Sequence, residues 1–213
     1  MSGIFRLDRA SGALYDDAGA CFDPRSRRWH EASPSADAEP LDAVAAATWL
    51  QRESGHPLRV PVGVIGPREA TDAQLAIARE VGERLARCGF PVICGGRMGI
   101  MEAACQGVAR GGGFSIGLIG DAEPALANAY ASVIVTTGIG EARNALIARA
   151  AFCLVAVGDS FGTLSEVALG RHFGKVVVGL AGAATVAGVR HVNDAPAALE
   201  IVARVALGKD VIA

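Results

Sequence analysis

The rhythm of apolar and polar positions changes at about residue 58. Beyond it, compact apolar runs appear at intervals: RVPVGVIG from Arg59, PVICGG from Pro91, FSIGLIG from Phe114, SVIVTTG from Ser132, FCLVAVG from Phe152 and KVVVGLAG from Lys175. Between them lie segments whose apolar residues recur at helical spacing: Thr71–Gly89, Gly99–Gly113, Gly140–Ala151 and Thr163–Gly174, with a last one over Ala195–Gly208. Runs that are apolar at successive positions are buried on both faces. Strands of that kind, alternating with helices, predict a doubly wound α/β fold, its mostly parallel sheet covered on both sides. Thr71 and Gln74 stand at capping-box spacing, and Gly89 is a helix stop.

The first 57 residues follow a different pattern and read as an extension to the core at 58–213. IFRLD, ALYDD and ACFD are short β-like runs parted by Ser-Gly and Ala-Gly turns, which predicts a small hairpin or meander. PRSRRWHEASPSADAEP is polar and rich in Pro and Ser, and reads as a surface loop. Leu41, Val44, Ala45, Ala47 and Leu50 then fall on one helical face, in a segment stopped by Gly55 and Pro57.

Composition narrows the function. A net charge of −2 over 213 residues supplies no basic field for nucleic acid or an anionic membrane, so any phosphate must be held locally. The charged start MSGIFRLDRA lacks the apolar core of a signal peptide, and the charge-free stretch Val176–Val189 is too short to span a bilayer. Five cysteines without C-x-x-C spacing read as reduced thiols, and the four histidines show no metal-ligand spacing. The expectation is a cytoplasmic protein that needs no metal.

In doubly wound sheets, ligands sit at the carboxyl ends of the strands, where strand order reverses. Three glycine-rich turns fall at such ends: GPREAT from Gly66, CGGRMGIMEA from Cys94 and GDSFGT from Gly158. Each joins a strand to a helix N-terminus, where free N–H groups and the helix dipole attract anions. None is the dinucleotide fingerprint or the P-loop, which argues against a standard NAD or ATP site.

GGRMGIMEAA, EARN and FGTLSE, in this order and spacing, resemble the Lonely Guy (LOG) family, long mislabelled as lysine decarboxylases. The resemblance runs from about Val60 to Leu180. It implies a Rossmann-like fold, a homo-oligomer of at least two subunits, and hydrolysis of nucleoside 5′-monophosphates to free base and ribose 5-phosphate. TTGIGEARN looks more like the branch that carries molybdenum cofactor, which implies a non-catalytic carrier or sensor of a phosphorylated ligand instead. Against the family hallmark P-G-G-x-G-T-x-x-E, Gly162, Thr163 and Glu166 match and Arg143 takes the place of the catalytic arginine. Gly95, Gly96, Gly99 and Met101 match the family's other glycine motif.

The resemblance thus makes Arg143 and Glu166 the catalytic candidates, with Glu166 stabilising positive charge on the sugar or directing water. Gly66, Arg68, Gly95, Gly96, Gly99, Met101, Asn144, Gly162 and Thr163 are the candidates for holding a small phosphate-bearing ligand, a nucleotide or molybdenum cofactor. Ordinary readings stand beside these. Thr163 to Glu166 also has the spacing of a capping box, and those four residues alone favour the cap. Arg68 suits a solvated surface as well as a phosphate, and Asn144 a neighbouring loop as well as a ligand. Gly158-Asp159-Ser160 replaces Pro-Gly-Gly, and a carboxylate at Asp159 opposes a phosphate, a charge that Arg97 is placed to offset. Hydrolase, carrier, and a ligand-free interaction module with tightly packed glycine loops are the three functions left open.

Overall fold

A computed structural model describes residues 5–210. Ile4, counted above in the first β-like run, lies outside them. The core is one seven-stranded sheet with every neighbouring pair parallel: β6 (Val62–Ile65), β7 (Val92–Cys94), β8 (Ser115–Ile119), β9 (Val133–Thr136), β10 (Cys153–Val157), β11 (Val176–Leu180) and β12 (Val189–His191). The strand order is β12-β11-β10-β6-β7-β8-β9. The chain therefore starts in mid-sheet at β6, builds outward through β7 to β9, then returns to the other side at β10. That return puts the reversal of strand order between β6 and β10.

Both central strands and β11 are buried along their whole length, as their unbroken apolar runs require. One face is covered by α2 (Asp72–Cys88), α3 (Ile100–Arg110) and α6 (Ala195–Ala206), with α1 (Ala43–Arg52) outside α2 and α6. The opposite face carries α4 (Arg143–Ala150) and α5 (Phe161–His172). Two helices do not span seven strands, and on β9 the side chains of Val133 and Val135 stay exposed.

Helix boundaries follow local chemistry. Thr71 and Gln74 form the expected capping box on α2, and Gly89 ends the helix at φ 94°, a conformation that suits glycine. α2 and α3 cross closely enough that a Cβ at Gly82 would lie 2.2 Å from the Ala104 carbonyl oxygen, and one at Gly107 would lie 1.9 Å from that of Arg79. Glycine inside these helices permits the contact of backbones. The small residues of the sequence are thus spent on tight layers.

The N-terminal extension is antiparallel, as its β-like runs imply, and larger than a hairpin. β1 (Phe5–Asp8), β2 (Ala13–Tyr15), β3 (Cys21–Asp23), β4 (Arg28–His30) and β5 (Glu39–Leu41) form a five-stranded sheet in the order β4-β3-β2-β1-β5. The segment read as a surface loop thus supplies two strands, and Leu41 closes β5 rather than opening α1, which begins after Asp42 caps it. The apolar anchor of the loop stretch is Trp29, and a single tryptophan leaves no periodicity to read; Leu41 pairs with Phe5 of β1, and the helix starts only after the Asp42 cap. Trp29 packs on Phe22 with ring centroids 4.9 Å apart, donates its indole N–H to the Leu207 carbonyl at 2.7 Å, and lies beneath the Lys209 ammonium. Phe5, Leu7, Leu14 and Phe22 join the same apolar cluster as α1 and α6. The small sheet is thereby fixed to the end of the α/β core.

An alanine at an exposed helical glycine adds stability of about 1 kcal/mol. At Gly107 the Cβ would strike backbone, so Gly107→Ala is expected to cost about 2–3 kcal/mol in denaturant unfolding.

Candidate functional site

The reversal between β6 and β10 opens a crevice at their carboxyl ends, the place where such sheets bind ligands. A cavity of about 740 Å³ lies there. Its walls are Gly66 to Glu69 after β6, Asp159 to Thr163 after β10, Ser165 and Glu166 on α5, Met101 on α3, and Glu141, Arg143 and Asn144 at the start of α4. A second hollow, between α1, α2 and α6, holds none of the candidate residues.

The start of α5 forms one wall. Ser160 is its N-cap, and the Ser160 hydroxyl accepts from the Thr163 N–H at 3.1 Å while its carbonyl accepts from Leu164. The first four N–H groups of a helix have no partner within it. Asp159 Oδ1 takes the one on Ser160 and the Ser160 hydroxyl the one on Thr163, leaving those of Phe161 and Gly162 to face a ligand. A Cβ at Gly162 would meet nothing nearer than Ser160 Oγ at 3.8 Å, so the glycine keeps this wall open and is not required by packing.

This corrects the capping-box reading of Thr163 and Glu166. The chain turns into the helix three residues earlier, so Thr163 lies inside its first turn, with its hydroxyl 2.9 Å from Ser160 Oγ. Glu166 lies a turn further on, only 5% exposed, and points toward α4 instead of back to the helix start. Its Oε1 accepts from Arg143 Nη1 at 3.3 Å. Arg143 is 6% exposed, so this contact of guanidinium and carboxyl is taken almost wholly out of water.

Such burial needs space and partners. A Cβ at Gly95 would lie 2.6 Å from both terminal nitrogens of Arg143 and 2.6 Å from Met101 Sδ. Gly95 is thus the opening through which the guanidinium reaches the cavity floor. Arg143 Nε and Asn144 Oδ1 are buried and have no hydrogen-bond partner among the described residues. Asn144 Nδ2 donates to Ser165 Oγ at 2.9 Å, joining α4 to α5. A buried donor or acceptor without a partner costs about 1–3 kcal/mol, so two at one cavity point to a group that arrives from outside.

Burial pushes the Glu166 carboxyl up to about 8; Arg143 opposes the rise and Glu141 adds to it. The residue is then mostly protonated at neutral pH. Arg68 pairs with Glu141 at 3.7 Å across the mouth. Two arginines therefore face Glu69, Glu141, Asp159 and Glu166, a balance that welcomes a phosphate only at the α5 N-terminus.

The remaining candidates separate. Gly66, Arg68, Met101, Arg143, Asn144, Gly162, Thr163 and Glu166 all line the cavity. Gly95, Gly96 and Gly99 do not. Gly96 and Gly99 have positive φ, 69° and 71°, and a Cβ would strike Gly117 and the Arg68 carbonyl respectively, so these glycines serve the close packing of neighbouring turns. Arg97 does not offset Asp159: it pairs with Asp121 beyond β8, drawn there by the nearer carboxylate. Ser160 and Phe161, unmarked in the sequence reading, belong to the site. The signal for Ser160 was available in Ser160-x-x-Thr163, a cap one turn ahead of the one read.

The residue profile of the SLOG cluster4 family matches residues 59–206. An uncharacterized protein of Archaeoglobus fulgidus is 35% identical over 129 residues, 61% of this chain and 85% of its own length. Among solved structures, a molybdenum cofactor binding protein from the phototrophic bacterium Rippkaea orientalis superposes with a TM-score of 0.64 at 29% identity, over 68% of this chain and 96% of that one. A molybdenum cofactor carrier protein from Chlamydomonas reinhardtii gives 0.64 at 30% identity, over 70% and 98%.

A raised carboxyl pKa means that the native state binds more protons than the unfolded chain between about 4.5 and 8, so this group's contribution to stability falls as pH rises across that window. Removing the ionisation flattens that slope: Glu166→Gln is expected to gain on the parent by on the order of 2–4 kcal/mol between pH 5 and pH 8, read as thermal midpoints at both values.

Proposed function

The chain belongs to the SLOG cluster4 family, and on that premise we propose that it binds and carries a phosphate-bearing heterocyclic small molecule in the crevice between β6 and β10. The observation that supports this most is the pair of buried, unpartnered polar atoms, Arg143 Nε and Asn144 Oδ1, on residues that line the cavity beside an open helix N-terminus. A phosphate takes the free N–H groups of Phe161 and Gly162. About 740 Å³ is ample for a mononucleotide or a pterin phosphate. Molybdenum cofactor, a pterin phosphate, suits this donor set, and the two neighbours, a molybdenum cofactor binding protein and a molybdenum cofactor carrier protein, add weight to it. On this reading the protein holds its cargo and leaves it chemically unchanged.

The buried Arg143–Glu166 pair favours a second reading, hydrolysis of a nucleoside 5′-monophosphate. There, water adds to the anomeric carbon, the bond from that carbon to the base nitrogen breaks, and the base leaves with a proton. The Glu166 carboxylate would face the positive charge that grows on the sugar, with Arg143 holding the carboxylate in place. Only the ionised form does this. With its pKa raised to about 8, turnover would increase with pH up to that value.

No described helix is long and apolar enough to cross a membrane. Exposed Val133 and Val135 on the edge strand, with Ile139, Leu146 and Leu164 around α4 and α5, leave the thinly covered face of the sheet apolar. A homo-oligomer, a dimer or larger, buries it.

Calorimetry with nucleoside monophosphates and a pterin phosphate tests the site: the parent is expected to bind at least one, and Arg143→Ala to weaken it tenfold or more. No binding to any of them overturns the reading. Release of free base, cut by about 100-fold in Glu166→Gln, would establish the hydrolase in place of the carrier. Sedimentation at micromolar concentration is expected to show a dimer or larger species, and monomer alone would contradict the oligomer.

A further inference from the structure

Phe161 is 95% exposed, more than any other large apolar residue described. Burying a phenylalanine stabilises by about 1.5–3 kcal/mol, and folding captures almost none of that here. The ring stands on the first turn of α5, on the wall of the cavity, one residue from the open face of Gly162. A ring at that place offers a flat apolar surface to whatever enters.

Two residues before it, Asp159 lines the same wall. Its Oδ1 accepts from the Ser160 N–H at 2.8 Å, and no cationic side chain among the described residues pairs with it. Glu141, in contrast, is held by Arg68. Glu69 is also unpaired, but it belongs to the β6 side of the cavity, away from the turn that carries Phe161. A free carboxylate beside a phosphate seat works against the phosphate. Beyond its bond to the Ser160 N–H, it is useful there if the ligand also brings N–H donors.

We propose that Phe161 and Asp159 together select the heterocycle: Phe161 stacks on a flat ring, and Asp159 accepts from the adjacent N–H groups of a 2-amino-4-oxopyrimidine edge, the edge shared by guanine and pterins. This rests on the crevice being the ligand site. A carboxylate accepts from two neighbouring N–H donors side by side, as in its recognition of amino groups on bases. Adenine, cytosine and hypoxanthine do not present that pair. Stacking on the ring is indifferent to the choice among bases, so affinity comes from Phe161 and discrimination from Asp159. The same two residues account for a guanine nucleotide and for a pterin phosphate, and the ligands used in the test separate these sources.

Calorimetry on the full chain with GMP, IMP, AMP, ribose 5-phosphate and 6-hydroxymethylpterin phosphate measures each contribution. In the parent, GMP or the pterin is expected to bind about tenfold tighter than IMP and AMP, and the tighter of the two identifies the source. Phe161→Ala should weaken that ligand about tenfold, and IMP and AMP by the same factor to the level of ribose 5-phosphate, whose own affinity stays put. Asp159→Asn should erase the preference over IMP while IMP itself holds or improves, because a charge near the phosphate is gone. Phe161 is so exposed that its loss leaves the fold intact, which unchanged thermal midpoints confirm. Equal affinity for GMP, pterin and IMP in the parent overturns the inference but leaves the site standing. So does a Phe161→Ala variant that changes sedimentation and no affinity. If the parent binds none of these compounds, ribose 5-phosphate included, the reading of the crevice fails and takes the inference with it.

Discussion

A guanidinium lies under the carboxyl ends of a parallel sheet, almost out of reach of water, and the site is arranged around that fact. Taking an arginine and a carboxylate out of solvent costs several kcal/mol each, and their mutual attraction recovers this only with good geometry and further hydrogen bonds. Arg143 and Glu166 meet at 3.3 Å, but Arg143 Nε finds no partner among the described residues. The pair is therefore poor as a fold stabiliser. Gly95 gives up its side chain to admit it, and α4 and α5 are held together around it through Asn144 and Ser165. Structure that is costly to the fold and converges on one cavity is explained by what the cavity holds.

The cavity's charges limit what that is. Arg68 is already engaged with Glu141, and four carboxyl groups face two guanidinium groups. Burial relieves part of this by keeping Glu166 mostly protonated near neutral pH. A dianion is still welcome in only one place, the N-terminus of α5, where backbone dipoles act at short range and Gly162 leaves room. The rest of the cavity suits a neutral, flat, hydrogen-bonding body. A phosphate on the helix start with a heterocycle beside it is the ligand shape that this distribution of charge accepts.

The extension contributes at a distance. Its sheet is fixed through Trp29 to the end of α6, on the face opposite α4 and α5. It adds apolar burial to the side of the core that already has four helices, and does nothing for the thin side, where β9 keeps Val133 and Val135 exposed. The asymmetry leaves the site and the uncovered apolar surface on the same half of the molecule.

Much of this was legible along the chain because it depends on short-range pattern. Short, Val-rich unbroken apolar runs that end in glycine, such as those over Cys153–Val157 and Val176–Leu180, read as strands buried on both sides, and the spacing of α2, its capping box and Gly89 fix a helix within a few residues. Gly162, Thr163, Arg143 and Glu166 were marked by motif, and they do share one cavity. What the sequence left open was decided by distance in space. Whether Glu166 turns back to its own helix or across to Arg143 depends on where α4 lies. Whether Gly95 and Gly99 meet a ligand or a neighbouring turn depends on which atoms a Cβ would strike. Arg97 had two carboxylates to choose between, and only the packing of β8 put Asp121 within reach. Local chemistry sets which elements form; the pairing of side chains far apart in the chain is set by how those elements stack.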